Sequence, residues 1–229
     1  MIEVRRGADR YRGEPEEGVT TRHAFSFGGH YDPENTRFAL LLACNEERLE
    51  PGAGFGEHPH RDTEILTWVV EGELEHRDAT GTVSKLGPGG FQRLSAGSGV
   101  RHVERNAGAG PLRFLQMWLH PDTFGGPPEY VGVSDTRGPG LRVLTSGERG
   151  LRQRAAALHV GRTTRAESVP LPAAPYRYVH VVRGTVRLEG EELTAGDAAR
   201  ITGGDELAAR SGGAAEFLVW EMHAEPSYG

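Results

Sequence analysis

His58 and His60 stand two residues apart, and His102 and Glu104 repeat that spacing, inside a stretch from Gly52 to Asn106 that reads as β-strand. In a strand, residues i and i+2 point to one face, about 7 Å apart along the chain. Each pair can therefore aim two ligand atoms at one point, and two neighbouring strands can supply all four. Three neutral imidazoles and one carboxylate suit Fe(II), Mn, Ni, Cu(II) or Zn, and they leave positions open for exogenous ligands. Glu64 competes with Glu104 for the fourth place, because counted along the chain it has the parity of His60. The spacing leaves both carboxylates open.

The elements that must carry these residues are short. Runs such as Glu64–Val70, Val83–Leu86, Phe91–Leu94 and Leu112–His120 are separated by turn signals at Asp78-Ala-Thr-Gly81 and Gly87-Pro-Gly-Gly90. That pattern predicts an all-β sandwich or barrel, with few short helices, near Pro33–Arg37 or between domains. The second half repeats the first. Ile65–Gly72 parallels Arg177–Gly184, Leu86–Gly97 parallels Leu193–Gly204, and Phe114–Trp118 parallels Phe217–Glu221. Two barrels in tandem follow, an N-terminal metal-binding domain over residues 1–135 and a degenerate one over 140–229, joined within Gly125–Gly150. The repeat contains its own control. His58 and His60 fall opposite Pro170 and Pro172, Glu64 opposite Tyr176, and His102 and Glu104 opposite Ala209 and Ser211. The copy keeps strands and turns without the candidate ligands, so the fold does not require them.

Composition sets outer bounds. The chain has 229 residues, 37% hydrophobic, with 33 Gly and 14 Pro, as a turn-rich folded protein would. A net charge of −6 argues against direct nucleic-acid binding, which needs basic surface to displace phosphate counterions. Cys44 is the only cysteine and lies in an apolar run, so it is expected to be a buried small hydrophobe. No signal-like apolar core or membrane-length apolar stretch is evident, and the expectation is a cytoplasmic monomer that contacts no membrane.

The motif Gly52-(five residues)-His58-Pro-His60-(three)-Glu64-(seven)-Gly72, followed by Gly97-Ser-Gly99-Val-Arg-His102-Val-Glu104-Arg-Asn106, resembles the paired motifs of the cupin superfamily. It departs in having seven rather than six residues before Gly72, and in Gly97 where proline is usual. Together with Phe55-Gly-Glu-His-Pro-His-Arg-Asp62, His23-Ala-Phe-Ser-Phe27, Tyr31-Asp-Pro33 and Leu115-Gln-Met-Trp118, those departures resemble the pirin family, closely over residues 20–120 and more loosely beyond 140. The resemblance implies a bicupin, two double-stranded β-helix (jelly-roll) barrels in tandem. It implies Fe(II) as the metal, with Mn, Ni, Cu, Co or Zn as alternatives, held by His58, His60, His102 and Glu104. Glu64 would then orient an imidazole.

By the same resemblance the activity is quercetin 2,3-dioxygenase-like. A flavonol binds as its 3-hydroxyl anion, O2 adds across C2 and C4, and the ring opens with loss of carbon monoxide. Glu104, or otherwise Glu64, would take the hydroxyl proton. The resemblance also implies an alternative, a non-catalytic metal- or redox-sensing regulator that binds a protein partner. A cupin isomerase of small polar metabolites would need Arg or Lys pointing into the barrel, which the outward parity of Arg101 and Arg105 does not encourage. The glycines at 52–56 and 97–99 read as turns rather than phosphate loops. Phe55, Phe91, Gln116 and Trp118 read as packing that could border the metal. His23, His30, His76, His120, His159, His180 and His223 lack a partner at ligand spacing and read as surface or satisfied core residues.

Overall fold

The computed structural model describes residues 1–134, 136 and 138–227. The turn-delimited apolar runs form strands, and no α-helix occurs among the described residues. The first half contributes β1 (Ile2–Arg5), β2 (Tyr11–Arg12), β3 (Val19–His23), β4 (Leu41–Leu49), β5 (Gly54–His60), β6 (Glu64–Glu71), β7 (Leu74–Asp78), β8 (Val83–Leu86), β9 (Phe91–Ser95), β10 (Val100–Asn106) and β11 (Leu112–Leu119). The join carries β12 (Glu129–Val133). The second half contributes β13 (Gly140–Val143), β14 (Ala156–Thr164), β15 (Glu167–Pro170), β16 (Tyr176–Arg183), β17 (Thr185–Leu188), β18 (Glu191–Thr194), β19 (Ala198–Thr202), β20 (Ala208–Ser211) and β21 (Ala214–Met222). The short helices reduce to 3-10 turns at Gly7–Asp9 and Gly147–Arg149. Pro33–Arg37 is a turn, closed by the Asn35 amide donating to the Asp32 carbonyl at 3.0 Å.

Four sheets pair into two barrels, and their strand orders repeat. The small sheets run β5-β10-β7-β8 and β15-β20-β17-β18. The large ones run β12-β9-β6-β11-β4-β3-β2 and β1-β19-β16-β21-β14-β13. One reciprocal exchange links them. β1, which precedes the first barrel, pairs with β19 of the second, while β12, which leads into the second, pairs with β9 of the first. Each barrel thus holds a strand from the approach to the other.

Strand parity divides the side chains of the large sheets. In β6, Leu66, Trp68 and Val70 join Leu115, Met117, Leu158, Tyr178, Leu218 and Trp220 in an apolar seam between the barrels. The alternate residues Ile65, Thr67 and Val69 face the first barrel's interior. The two interiors differ. The second is one continuous apolar cluster around Val179, Val181, Phe217 and Val219. The first is split into a cluster around Leu49, Val69, Leu112 and Phe114 and another around Ile65, Leu94, Ala96 and Val100. A polar layer lies between them.

Trp68 is, with Trp220, one of the two largest side chains of the seam, fully buried, with its indole N–H donating to Glu216 Oε1 at 3.1 Å across the barrels. Trp68→Ala is expected to cost about 3–5 kcal/mol, as other large core truncations do. Trp68→Phe should cost less, since it keeps most of the buried surface. Chemical denaturation of the two variants measures the difference, and equal losses would mean that packing at Trp68 does not hold the seam.

Candidate metal centre

The centre is built on β10, which lies between β5 and β7. Its residues 100, 102, 104 and 106 point inward and are buried, whereas 101 and 105 are exposed. Pairing with β5 sets Val100 opposite His60 and His102 opposite His58. A register shift then brings Glu104 opposite Phe55, and on the other side β7 sets His76 opposite Glu104. Directly opposed residues in an antiparallel pair have close Cβ atoms, so this register alone forces the imidazoles together. Ring centroids lie 4.3 Å apart for His58 and His102, 4.9 Å for His58 and His60, and 4.9 Å for His60 and His102. One ring nitrogen from each of the three lies within 4.8 Å of the others.

These rings are oriented from behind. The Nδ1 of His58 donates to the Gly56 carbonyl at 2.7 Å, which leaves Nε2 as a lone pair facing inward. Behind His102 runs a relay, His102 Nδ1 to His76 Nδ1 at 3.3 Å and His76 Nε2 to Asp78 Oδ2 at 3.2 Å. One proton arrangement satisfies it: His76 donates to Asp78, His102 donates to His76, and His102 Nε2 is left unprotonated. The Nε2 atoms of His60 and His102 are buried and have no hydrogen-bond partner. Such atoms are costly to desolvate. Convergent, unpartnered imidazole nitrogens beside a carboxylate are the donor set a divalent transition ion fits. Burial, reinforced by the neighbouring imidazoles, lowers His60 to about 4 and His102 to about 2, so both rings are neutral at neutral pH.

Glu104 is fully buried and groups with His76 and His102, its ligand atom within 4.8 Å of theirs. One carboxylate oxygen accepts from Gln92 Nε2 and the other from Gln116 Nε2, each at 2.6 Å. The amides are fixed in turn. Tyr130 donates its hydroxyl to Gln92 Oε1 at 3.1 Å, and Trp118 donates Nε1 to Gln116 Oε1 at 3.1 Å. Burial raises the Glu104 carboxyl to about 7, against the opposing pull of its two amides.

Glu64 is not brought to the imidazoles. Its Oε2 accepts from Ser95 Oγ at 2.8 Å and from the Arg152 amide at 3.1 Å, on the seam side of β6. The parity that linked it to His60 resets at the intervening turn, where Asp62 takes a left-handed φ of 51° and the chain passes from β5 to β6. Of the four bordering residues, Gln116 and Trp118 lie at the centre, with Trp118 edge-on to His60 at 5.0 Å. Phe55 meets His58 at 6.3 Å, whereas Phe91 packs in the seam. Arg101 and Arg105 point outward to Glu57 and Glu75. Cys44 is buried in the seam. His23, His159 and His180 are satisfied by Asn45, Glu221 and Arg10. His76 is the site residue that sequence spacing overlooked. Its signal was the alternation in Leu74-Glu-His-Arg-Asp78, which sends His76 and Asp78 inward together.

A hollow of about 520 Å³ adjoins the centre, lined by Pro59, His60, Arg61, Ala79, Thr80, Gly99, Val100 and Arg101. Among the described residues no helix is long and apolar enough to cross a membrane.

Comparison with known proteins bears on the family and the fold. Residues 5–119 match the pirin family model, and residues 151–222 match that of the quercetinase C-terminal cupin domain. The Mycobacterium tuberculosis protein Rv0181c is 42% identical over 241 residues, covering 98% of this chain and 96% of its own. The quercetin 2,3-dioxygenase of Escherichia coli is 31% identical over 230 residues, 97% of this chain and 99% of that protein. Bacterial pirin YhhW from Escherichia coli, solved in complex with nickel(II), superposes with a TM-score of 0.91 at 30% identity, over 98% of this chain and 100% of that one.

Glu47 faces the same barrel interior from β4, bonded to Thr21, and burial raises its carboxyl from an ordinary 4.5 to about 8. A group that binds its proton more tightly folded than unfolded stabilises fully below the unfolded pKa. It loses that contribution as pH rises through the folded one. Thermal melts of the metal-free protein should therefore fall between about pH 5 and pH 8, and Glu47→Gln should flatten that slope. An unchanged slope in the variant would assign the pH dependence elsewhere.

Proposed function

The chain belongs to the pirin family, and from that premise, with three imidazoles facing one another across β5 and β10, we propose a metal-dependent dioxygenase that opens a flavonol-type ring with O2. The observation that carries this reading is the pair of buried, unpartnered Nε2 atoms on His60 and His102. His58, His60, His102 and Glu104 would hold one divalent transition ion, with iron(II) expected first. Bound there, the ion lowers the pKa of a coordinated hydroxyl and orients it.

The chain's own residues supply the remaining parts. His60 and His102 present lone pairs without first losing a proton, because burial keeps them neutral. Glu104 takes the proton of the flavonol 3-hydroxyl. Its affinity for a proton already lies in the neutral range, and the Gln92 and Gln116 amides hold it in place as its charge changes. Asp78 and His76 hold the ring of His102 in one tautomer. Glu64, bonded to Ser95 and Arg152, takes no part. The hollow beside His60 is within the roughly 300–1,000 Å³ typical of small-molecule sites, and its mainly apolar lining, edged by Arg61 and Arg101, suits an aromatic ring that carries an ionised hydroxyl.

Aerobic incubation with quercetin of protein loaded in turn with Fe, Ni, Mn, Cu and Co should show loss of the flavonol absorption band and release of carbon monoxide. Absence of turnover with every ion would sink the dioxygenase reading, and a protein that still binds metal stoichiometrically would then be the metal-dependent regulator. His58→Ala should lose both bound metal and turnover, and retention of either overturns the ligand assignment. Gln116→Leu leaves the four ligands in place but frees one carboxylate oxygen of Glu104. It is expected to weaken metal affinity or turnover about 10–100-fold, the usual consequence of removing a partner behind a ligand.

A further inference from the structure

A second site lies where the N-terminal segment crosses from one barrel to the other. Along the passage from β1, paired into the second barrel, to β2, paired into the first, residues 4–6 and 9–11 wall a cavity of about 210 Å³. Its other walls include His23, Ala24, Asn35, Tyr178, Ala198 and Arg200. Two of its lining side chains are buried guanidinium groups, Arg10 at 8% exposure and Arg200 at 7%. Among the described residues neither forms an ion pair with a carboxylate; the acids that act on them, Glu46 on Arg10 and Glu3 on Arg200, do so from beyond ion-pair distance.

Arg10 donates to the carbonyls of Gly196 and Cys44 at 3.2 and 3.1 Å, and its remaining contact is the Nδ1 of His180 at 2.8 Å. All three acceptors are uncharged, since burial holds His180 well below its ordinary value and hence neutral. Arg200 donates to the Asn35 side-chain oxygen, lies over the Phe25 ring at 4.6 Å, and keeps a buried Nε–H with no acceptor. The other two arginines of the wall are already matched, Arg5 with Glu3 and Arg6 with Asp197, each at 3.0 Å. Among the described residues Asp9 is the only acid lining the cavity, and it is exposed. Buried cations without an anion are costly, and Arg is the side chain whose planar fork suits carboxylate and phosphoryl oxygens. The aromatic faces around Arg200 offset only part of that cost.

We propose that this cavity binds a small oxyanion, a metabolite with a carboxylate or phosphoryl group held between Arg10 and Arg200. The size agrees, since 210 Å³ falls below the roughly 300 Å³ at which drug-sized pockets begin. The site is separate from the imidazoles and independent of the dioxygenase reading. His23 borders the cavity and stacks on Phe27 at 4.8 Å, Phe27 meets Trp118 at 4.9 Å, and Trp118 meets His60 at 5.0 Å, so the rings of Phe27 and Trp118 stand between the two sites.

Inorganic phosphate and malonate are the probes, titrated by calorimetry and by thermal melting against potassium chloride of equal ionic strength. At least one should bind saturably and raise the melting temperature, and the arm that does so identifies the phosphoryl or the carboxylate source. Arg200→Gln should lower that affinity at least tenfold. Ala24→Leu, which adds bulk at the cavity wall and retains both arginines, should do the same and decides the question if Arg200→Gln does not fold. His58→Ala should bind the anion as the parent does. No saturable binding of either probe, binding unchanged in both cavity variants, or binding lost in His58→Ala would each overturn the proposal.

Discussion

The interior of a small β-barrel is apolar by default, because a polar atom taken from water without a partner costs more than most packing contacts return. The first barrel breaks that rule with a layer containing Thr67, His76, Gln92, His102, Glu104 and Gln116, all buried. Its architecture is organised around satisfying that layer. Glu104 takes one amide on each oxygen, each amide takes a hydroxyl or indole N–H behind it, and His102 rests on His76 and Asp78. Every chain of hydrogen bonds ends on a group that is itself anchored. The exceptions are the Nε2 atoms of His60 and His102. A network satisfied everywhere but at one convergent point defines what must fill that point.

A split interior weakens the barrel that carries it, and the second barrel compensates. Where the first has His58, His60, His102 and Glu104, the second has Pro170, Pro172, Ala209 and Ser211, and its apolar cluster runs unbroken. The two are fused through the seam and through polar ties across it: Trp68 to Glu216, Trp220 Nε1 to Met117 Sδ at 3.3 Å, Arg113 to the Val182 carbonyl at 3.1 Å. The exchange of β1 and β12 adds backbone pairing to that union. Separating the barrels would expose the seam and strip a strand from each, so the polar layer draws on the packing of the whole chain.

Much of this was legible in the sequence, for a reason specific to strands. Side-chain direction alternates with a period of two, so His58 with His60 and His102 with Glu104 announce their shared faces without any knowledge of the fold. The same rule misplaced Glu64, because parity is meaningful only within one strand and Asp62 ends β5. His76 was missed for the converse reason. Its partners, His102 and Tyr130, lie on other strands, and only the register of β7 against β10 brings them together. The exchange of β1 had no local signal, since nothing in Ile2–Arg5 indicates a partner almost two hundred residues away. The cavity at Arg10 and Arg200 was hidden likewise: its two cations come from opposite ends of the chain.

That dependence on register places functional weight on residues that touch no ligand. A one-residue slip of β10 against β5 would turn His102 and Glu104 to the outer face and Arg101 and Arg105 inward. Several features oppose it. The Asp62 amide donates to the Gly97 carbonyl at 2.9 Å, tying the turn after β5 to the turn before β10. The Asp62 side chain accepts from the Gly125 amide at 2.6 Å, tying that turn to the segment between β11 and β12. Gly97 has a φ of 49° and packs against the Gly126 carbonyl, where any Cβ would collide. The register shift between His102 and Glu104 then absorbs the extra residue of β5, which lets the imidazoles stay opposed while Phe55 covers the next pair. The inward placing of His58, His60, His102 and Glu104 is in this sense specified twice, once by strand alternation and once by the turns that forbid these residues any other face.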